Sequence, residues 1–129
     1  MEGTQIKKQK NQLIELAITT HGESITIDDK VKAYINRLTG ISIFASNENA
    51  YIGSSLQLAI DNEEIFPKGF KIRWIREKDG VDINSLPYKI DEKGNNTVIT
   101  GTYTDDTPAA VFPSGGYKIQ ILLTGYQLK

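Results

Sequence analysis

Few residues in this chain could carry acid–base, nucleophilic or metal chemistry. The sequence contains one histidine, His21, and no cysteine. That composition excludes disulfides, thiolate-ligated zinc, cysteine nucleophiles and multi-histidine metal sites. His21 is followed by Gly22 in a predicted turn, where a surface histidine is the expected interpretation. As a general base it would need a carboxylate partner brought to it by the fold.

Carboxylates occur in short clusters that could suggest a metal site or a pair of glycosidase acids. None has the spacing of a calcium-binding loop, with its central glycine and terminal glutamate. We therefore expect them to be solvated turn charges. Gly-x-Ser-x-Gly, Gly-x-Gly-x-x-Gly and phosphate-loop strings do not occur. The sequence predicts no enzyme activity, cofactor or metal. The clusters are Asp28–Asp29, Asp61 with Glu63–Glu64, Asp91–Glu92 and Asp105–Asp106.

Composition restricts the class of protein further. The chain has 129 residues, the length of one ordinary domain. Lys and Arg total 15 against 16 Asp and Glu, so the net charge of -1 argues against a specific nucleic-acid binder. Hydrophobic residues at 39% are enough for a globular core. We expect no signal peptide and no transmembrane segment, because no apolar run approaches the length either requires.

Side chains alternate with a period of two through most of the body, which predicts β-strands. Turn residues separate the runs at short intervals: Asp61-Asn62, Asp79-Gly80 and Gly94-Asn95-Asn96 are each predicted to join a hairpin. The predicted strands lie around Ile14–Ile18, Ile25–Ile27, Val31–Ile35, Ile41–Ala45, Leu56–Ile60, Glu63–Phe66, Phe70–Arg76, Val81–Ile83, Tyr88–Ile90, Val98–Tyr103 and Tyr117–Leu123.

This spacing predicts an all-β fold, a two-sheet antiparallel β-sandwich that is a single jelly roll of about eight strands. Residues 1–11 are predicted to form an extended N-terminal arm, and residues 12–129 the sandwich. A helix over Gln5–Ala17 is the alternative for the start, since Ile6, Leu13, Ile14 and Ala17 could share a face.

Two strands show candidate contact surfaces. In Phe70–Arg76 alternation assigns Trp74 to the core and places Lys71 and Arg73 on an exposed basic face. The last strand is apolar on both faces near Leu122, which a neighbouring subunit could cover. The predicted interface residues are therefore Lys71, Arg73 and Leu122, together with Lys7, Lys8 and Lys10 of the arm.

The segments Thr39–Ser46 and Leu56–Pro67, and a chain that ends close to its final strand, resemble small jelly-roll virion proteins. The similarity is to penton or minor capsid proteins of tailless icosahedral phages, at the level of strand pattern and size. It implies a structural virion subunit that contacts copies of itself and other capsid proteins. It also implies that the virion is assembled in the cytoplasm of a host. It also implies an arm that reaches neighbours, whose lysines could instead contact the genome or an inner membrane.

Two further functions stay open from the sequence. A carbohydrate-binding or adhesion module would use an aromatic platform, for which Tyr51, Tyr103 and Tyr117 are the candidates. An enzyme on a β scaffold would need a cleft that joins His21 to one of the acidic pairs.

Overall fold

The structure is a computed structural model that describes residues 6–47, 50–51, 53–76 and 88–128. Strands dominate it, as the alternation predicts. A short helix, α1 (Arg73–Arg76), and a 3₁₀ turn at Ala109–Val111 are the helical elements of these residues. The strands are β1 (Lys7–Ile18), β2 (Ser24–Lys30), β3 (Arg37–Ala45), β4 (Ser55–Ile60), β5 (Glu63–Phe66), β6 (Tyr88–Lys93), β7 (Val98–Thr104) and β8 (Tyr117–Leu128).

The strands form two antiparallel sheets of four strands each. Sheet A has the order β1-β8-β3-β6 and sheet B has the order β2-β7-β4-β5. First and last strands pair, then second and seventh, third and sixth, and fourth and fifth, as if one long hairpin had been rolled up. This nested order is that of a jelly roll, so the predicted fold class is confirmed.

The core lies between the two sheets and is built by the inward residues of each strand. In sheet A the pair β1–β8 sets Ile14 opposite Ile121 and Leu16 opposite Ile119, all buried. In sheet B Leu56 lies opposite the fully buried Tyr103. Burying one residue in two is the behaviour that the period of two predicts.

The predicted arm is in part a strand. The boundary placed after residue 11 falls inside β1, and residues 7–11 pair with residues 124–128 of β8. The helix alternative is wrong for the residues described, because alternation from Gln12 to Ile18 buries every second side chain in the core. Gln12 also links the sheets: its amide donates to the Lys30 carbonyl at 2.9 Å and accepts from the Lys32 N–H at 2.8 Å.

Three local predictions have different outcomes. Asp61 and Asn62 have positive φ of 56° and 62° and join β4 to β5, so that hairpin is confirmed. The turn at residues 94–96 exists, with Asn95 and Asn96 at positive φ, but it is not a hairpin. It joins β6 of sheet A to β7 of sheet B. The hairpin predicted at residues 79–80 and the strand predicted at residues 81–83 lie outside the described residues.

The predicted strand Val31–Ile35 is wrong, since β2 ends at Lys30 and a turn follows. The Ile35 N–H donates to the Lys32 carbonyl within that turn, and Val31 and Ile35 are both buried. Apolar residues four apart thus anchor a loop here.

The strand predicted at Phe70–Arg76 is also wrong. Lys71 forms one isolated bridge with Ser55, after which the chain turns into α1. The turn sets the rings of Phe70 and Trp74 edge to face at 5.2 Å, while Phe70 stacks on the buried Phe66 at 4.5 Å. Trp74 is therefore 55% exposed and is not a core residue.

No helix of the described residues is long and apolar enough to span a bilayer.

Candidate functional site

A buried polar cluster lies at the end of the sandwich where β7 ends and β8 begins. Its centre is Asp105, only 3% exposed, whereas Asp106 is exposed. The expectation of a solvated pair is thus wrong for Asp105 and right for Asp106. The sequence signal for this placement is Asp-x-Thr, in which a carboxylate accepts the backbone N–H two residues on.

Five donors surround the Asp105 carboxylate. Oδ1 accepts from the Tyr117 hydroxyl at 2.5 Å, the Thr107 hydroxyl at 2.6 Å, the Thr107 N–H at 3.3 Å and the Ser54 hydroxyl at 3.4 Å. Oδ2 accepts from the Gly22 N–H at 2.8 Å. The carboxylate therefore connects the β1–β2 turn, the start of β4 and the start of β8, which are distant in sequence.

The cluster extends inward through two tyrosines. Tyr117 donates to the carboxylate, so its oxygen accepts from the hydroxyl of Tyr103 at 2.7 Å. Burial raises the pKa of both phenols, and the neighbouring Asp105 carboxylate raises that of Tyr117 further. Burial also tends to raise the pKa of Asp105, but bonds from Thr107, Tyr117 and Gly22 outweigh it and the pKa is lowered. The result is a carboxylate that accepts from the protonated phenol of Tyr117, which in turn accepts from that of Tyr103.

His21 lies beside this cluster without completing a catalytic pair. Its Nε2 is 2.7 Å from the Thr107 carbonyl oxygen, which can only accept, so Nε2 donates. Its ring meets Phe112 edge to face at 5.5 Å. Asp105 accepts from hydroxyl and backbone N–H groups, and His21 donates to a backbone carbonyl. Among the described residues, the two side chains are not joined by a hydrogen bond. We interpret the cluster as a support that holds the loops at this end of the sandwich.

The aromatic platform predicted for the carbohydrate-binding alternative is wrong. Tyr51, Tyr103 and Tyr117 are all buried. Tyr103 and Tyr117 face the core because they occupy the inward rows of their strands, and their hydroxyls bond to each other. Any glycan contact must use a different surface.

The outward face of sheet A carries an apolar strip. Leu13 on β1 is 52% exposed and lies directly opposite Leu122 on β8, which is half-buried. Phe44 on β3 is half-buried on the same face, two residues along from Ser42, the partner of Leu122. The outward side of an antiparallel sheet is normally polar. The apolar strip departs from that rule.

Charged pairs border the apolar strip. The Lys118 ammonium lies 3.5 Å from Glu15, which also accepts from the Gln120 amide at 3.0 Å, and Arg37 pairs with Asp91 on the other side. These bonds lower the pKa of Glu15, first through Gln120 and then through Lys118. An apolar centre with a polar rim is the usual composition of a protein–protein contact.

The structure separates the six predicted interface residues into two groups. Lys7, Lys8, Lys10 and Leu122 all lie on the β1–β8 pair. The Lys7 ammonium is 4.7 Å from the ring centre of Tyr126, and that of Lys10 is 5.7 Å from the ring centre of Tyr34. Lys7 alternates in step with Leu13, whereas Lys8 and Lys10 lie on the opposite side of β1.

Lys71 and Arg73 lie apart from that pair and do not form the predicted basic strand face. The Lys71 ammonium donates to the Gly53 carbonyl at 2.7 Å, which holds it against its own chain. Arg73 is exposed in α1.

One carboxylate of sheet A points inward. Glu92 lies opposite the buried Leu38 and is itself buried. Burial raises its pKa, and the nearby Glu63 carboxylate raises it further. In the part of the chain that the structure describes, no three His, Asp or Glu side chains come together in a way that could hold a metal ion.

Comparison of the chain with protein-family models, with curated proteins and with solved structures found no match.

Proposed function

We propose that this chain is a structural virion protein, a capsid vertex or minor capsid subunit that assembles through the outward face of sheet A. The observation that carries the assembly is the Leu13–Leu122 pair, two large apolar side chains on the solvent side of a sheet. The virion context rests on the jelly-roll strand order, which the resemblance to small capsid proteins predicts.

The position of β1 supports a contact at this edge. β1 is the first strand of sheet A and pairs with β8 alone in the described structure. Twelve residues of strand edge, Lys7–Ile18, therefore present backbone groups that another chain could use. Lysines at its start are a usual device against uncontrolled pairing along such an edge. A contact on the sheet face, centred on Leu13, would lie beside this edge. It would not require the partner to add a strand to the sheet.

The proposed partners are copies of the same chain and other capsid proteins, and the proposed location is the virion. Lys8 and Lys10 are directed away from the apolar strip, so contacts with a genome or an inner membrane would use the other side of β1. The buried Asp105 cluster has a structural role in this proposal, and no catalysis is assigned to it.

Solution mass tests the proposal. The full chain is measured by size-exclusion chromatography with light scattering beside Leu13→Asp and Leu122→Asp. Val98→Asp, at an exposed apolar position on sheet B, is the matched control. We expect a discrete multimer for the full chain and for the control, and a monomer for both leucine variants with unchanged circular dichroism.

A full chain that stays monomeric at its highest soluble concentration would contradict self-assembly through this face. So would a multimer that both leucine variants preserve, because two buried carboxylates in one contact cannot be accommodated cheaply.

A further inference from the structure

A second surface lies on the opposite side of the sandwich, on the outward face of sheet B. Two adjoining depressions, of about 450 and 280 Å³, share Gln57 and Thr102 as lining residues. We call them together the sheet-B trough. The first is of the size that small-molecule sites occupy. The lining residues that could contact a ligand include Thr26, Asp28, Gln57, Ala59, Thr100 and Thr102.

The strand register explains why hydroxyl groups collect there. β7 contributes Thr100, Thr102 and Thr104 to the outward face, and Thr26 of β2 and Gln57 of β4 lie on either side of Thr102. Gly101 between these threonines lets the strands approach closely: a Cβ there would lie 2.2 Å from the Gln57 carbonyl oxygen. The strands at the centre of the trough therefore lie close together, and their pairing register is unbroken.

Hydrogen-bonding capacity in the trough is unused. The side chains of Thr26, Gln57, Thr100 and Thr102 make no hydrogen bond to any residue that the structure describes. Each hydroxyl can donate one bond and accept two, and the amide can do both. Threonine is restricted at χ1, so the three hydroxyls are held in place by the strands, whereas the Gln57 amide can adjust to a ligand.

The charge of the trough selects among ligand classes. Asp28 and Lys68 lie in different depressions and balance each other, and the centre is neutral. Anions such as phosphates would lack the cluster of basic groups that they require. A purely apolar ligand would leave the hydroxyls unpaired, which is costly. Polar donors and acceptors beside the aliphatic surface of Ala59 and the threonine methyls match a sugar, whose rings present both hydroxyls and C–H faces.

We propose that the sheet-B trough binds a short neutral oligosaccharide. From Thr100 to Thr104 the strand advances about 13 Å, since each residue adds about 3.3 Å, so the site is longer than one sugar ring. No aromatic ring lines either depression, and hydrogen bonds supply the recognition. The trough and the apolar strip of sheet A face opposite directions, so a subunit could use both together.

Saturation-transfer NMR and calorimetry with maltotriose, cellotriose, galactobiose, mannobiose and triacetylchitotriose test the inference. We expect at least one probe to bind the full chain with a millimolar or lower Kd. Thr102→Val keeps the shape and removes the hydroxyl, and Gln57→Ala removes the amide. Each should weaken that binding about tenfold or more.

Thr124→Val, on the outward face of sheet A, is the matched control and should bind as the unmodified chain does. Absence of binding for all five probes would overturn the inference, as would binding that Thr102→Val and Gln57→Ala leave unchanged. The trough variants should keep the solution mass of the full chain, so failure here is distinguishable from failure of the assembly proposal.

Discussion

The two buried tyrosines give a prediction whose size follows from their hydrogen bonds. Tyr117 donates to the Asp105 carboxylate and accepts from Tyr103. Tyr117→Phe removes a bond to a charged acceptor, which contributes about 1.5–3 kcal/mol, and leaves the fully buried Tyr103 hydroxyl without its acceptor, which costs about 1–3 kcal/mol. We expect this variant to lose about 2.5–6 kcal/mol of unfolding free energy.

Tyr103→Phe should cost much less. It removes one neutral bond, of about 1 kcal/mol, and leaves the bond from Tyr117 to Asp105 in place. In the double variant no buried hydroxyl is orphaned, so the loss should not exceed that of Tyr117→Phe alone. The pair is therefore expected to be less than additive by about 1–2 kcal/mol.

Urea unfolding followed by circular dichroism measures these differences. All variants are compared at one protein concentration, because self-association would itself stabilise the fold. Tyr34→Phe, at an exposed tyrosine, is the control and should change the unfolding free energy by less than about 0.5 kcal/mol. Effects of the two buried variants that simply add, or a larger loss from Tyr103→Phe than from Tyr117→Phe, would refute the chain of hydrogen bonds described above.

Three further predictions concern pH and backbone. The fold lowers the pKa of Asp105, so its stabilisation is complete above the ordinary pKa of about 3.9 and is lost as pH falls through the folded value. Unfolding at a series of pH values should show this acid loss in the unmodified chain, and much less of it in Asp105→Asn. The fold raises the pKa of Glu92, so its ionisation destabilises the protein as pH rises through the folded value. Glu92→Gln should therefore unfold at higher urea than the unmodified chain at pH 7 and lose that advantage below pH about 4; equal stability at pH 7 would contradict this. Gly116 has φ of +78° and a Cβ there would lie 2.1 Å from the Ile18 carbonyl oxygen, whereas Gly115 has open space. Thermal unfolding should show Gly116→Ala destabilised by at least about 2 kcal/mol and Gly115→Ala nearly unchanged; similar values for both would count against the close approach.

Alternation and turn residues made the fold class predictable from the sequence. Period-two burial in β1 and β8 follows directly from Ile14, Leu16, Ile119 and Ile121, because a strand places every second side chain on one face. Asp61-Asn62 predicted a hairpin because both residues tolerate positive φ. The same argument failed at Asn95-Asn96, since a turn residue fixes local backbone and not the sheet to which the next strand belongs.

The segment around Trp74 shows the limit of periodicity. Phe70, Ile72 and Trp74 alternate like strand residues, but strand pairing stops after Lys71. Aromatic contacts four residues apart then favour a helical turn. Short apolar runs fit both periods, and only the neighbours decide between them.

For the candidate surfaces too, some features follow from the sequence and others only from the tertiary structure. By itself the sequence determined an all-β chain with no thiol chemistry and no multi-histidine site, since composition and alternation are local properties. Only the tertiary structure buried Asp105 among Tyr117, Thr107 and Gly22, placed Leu13 opposite Leu122, and collected the threonines of sheet B into one trough. Except for the local bond between Asp105 and Thr107, these contacts join residues of different turns and strands, and they depend on strand order, which alternation does not encode.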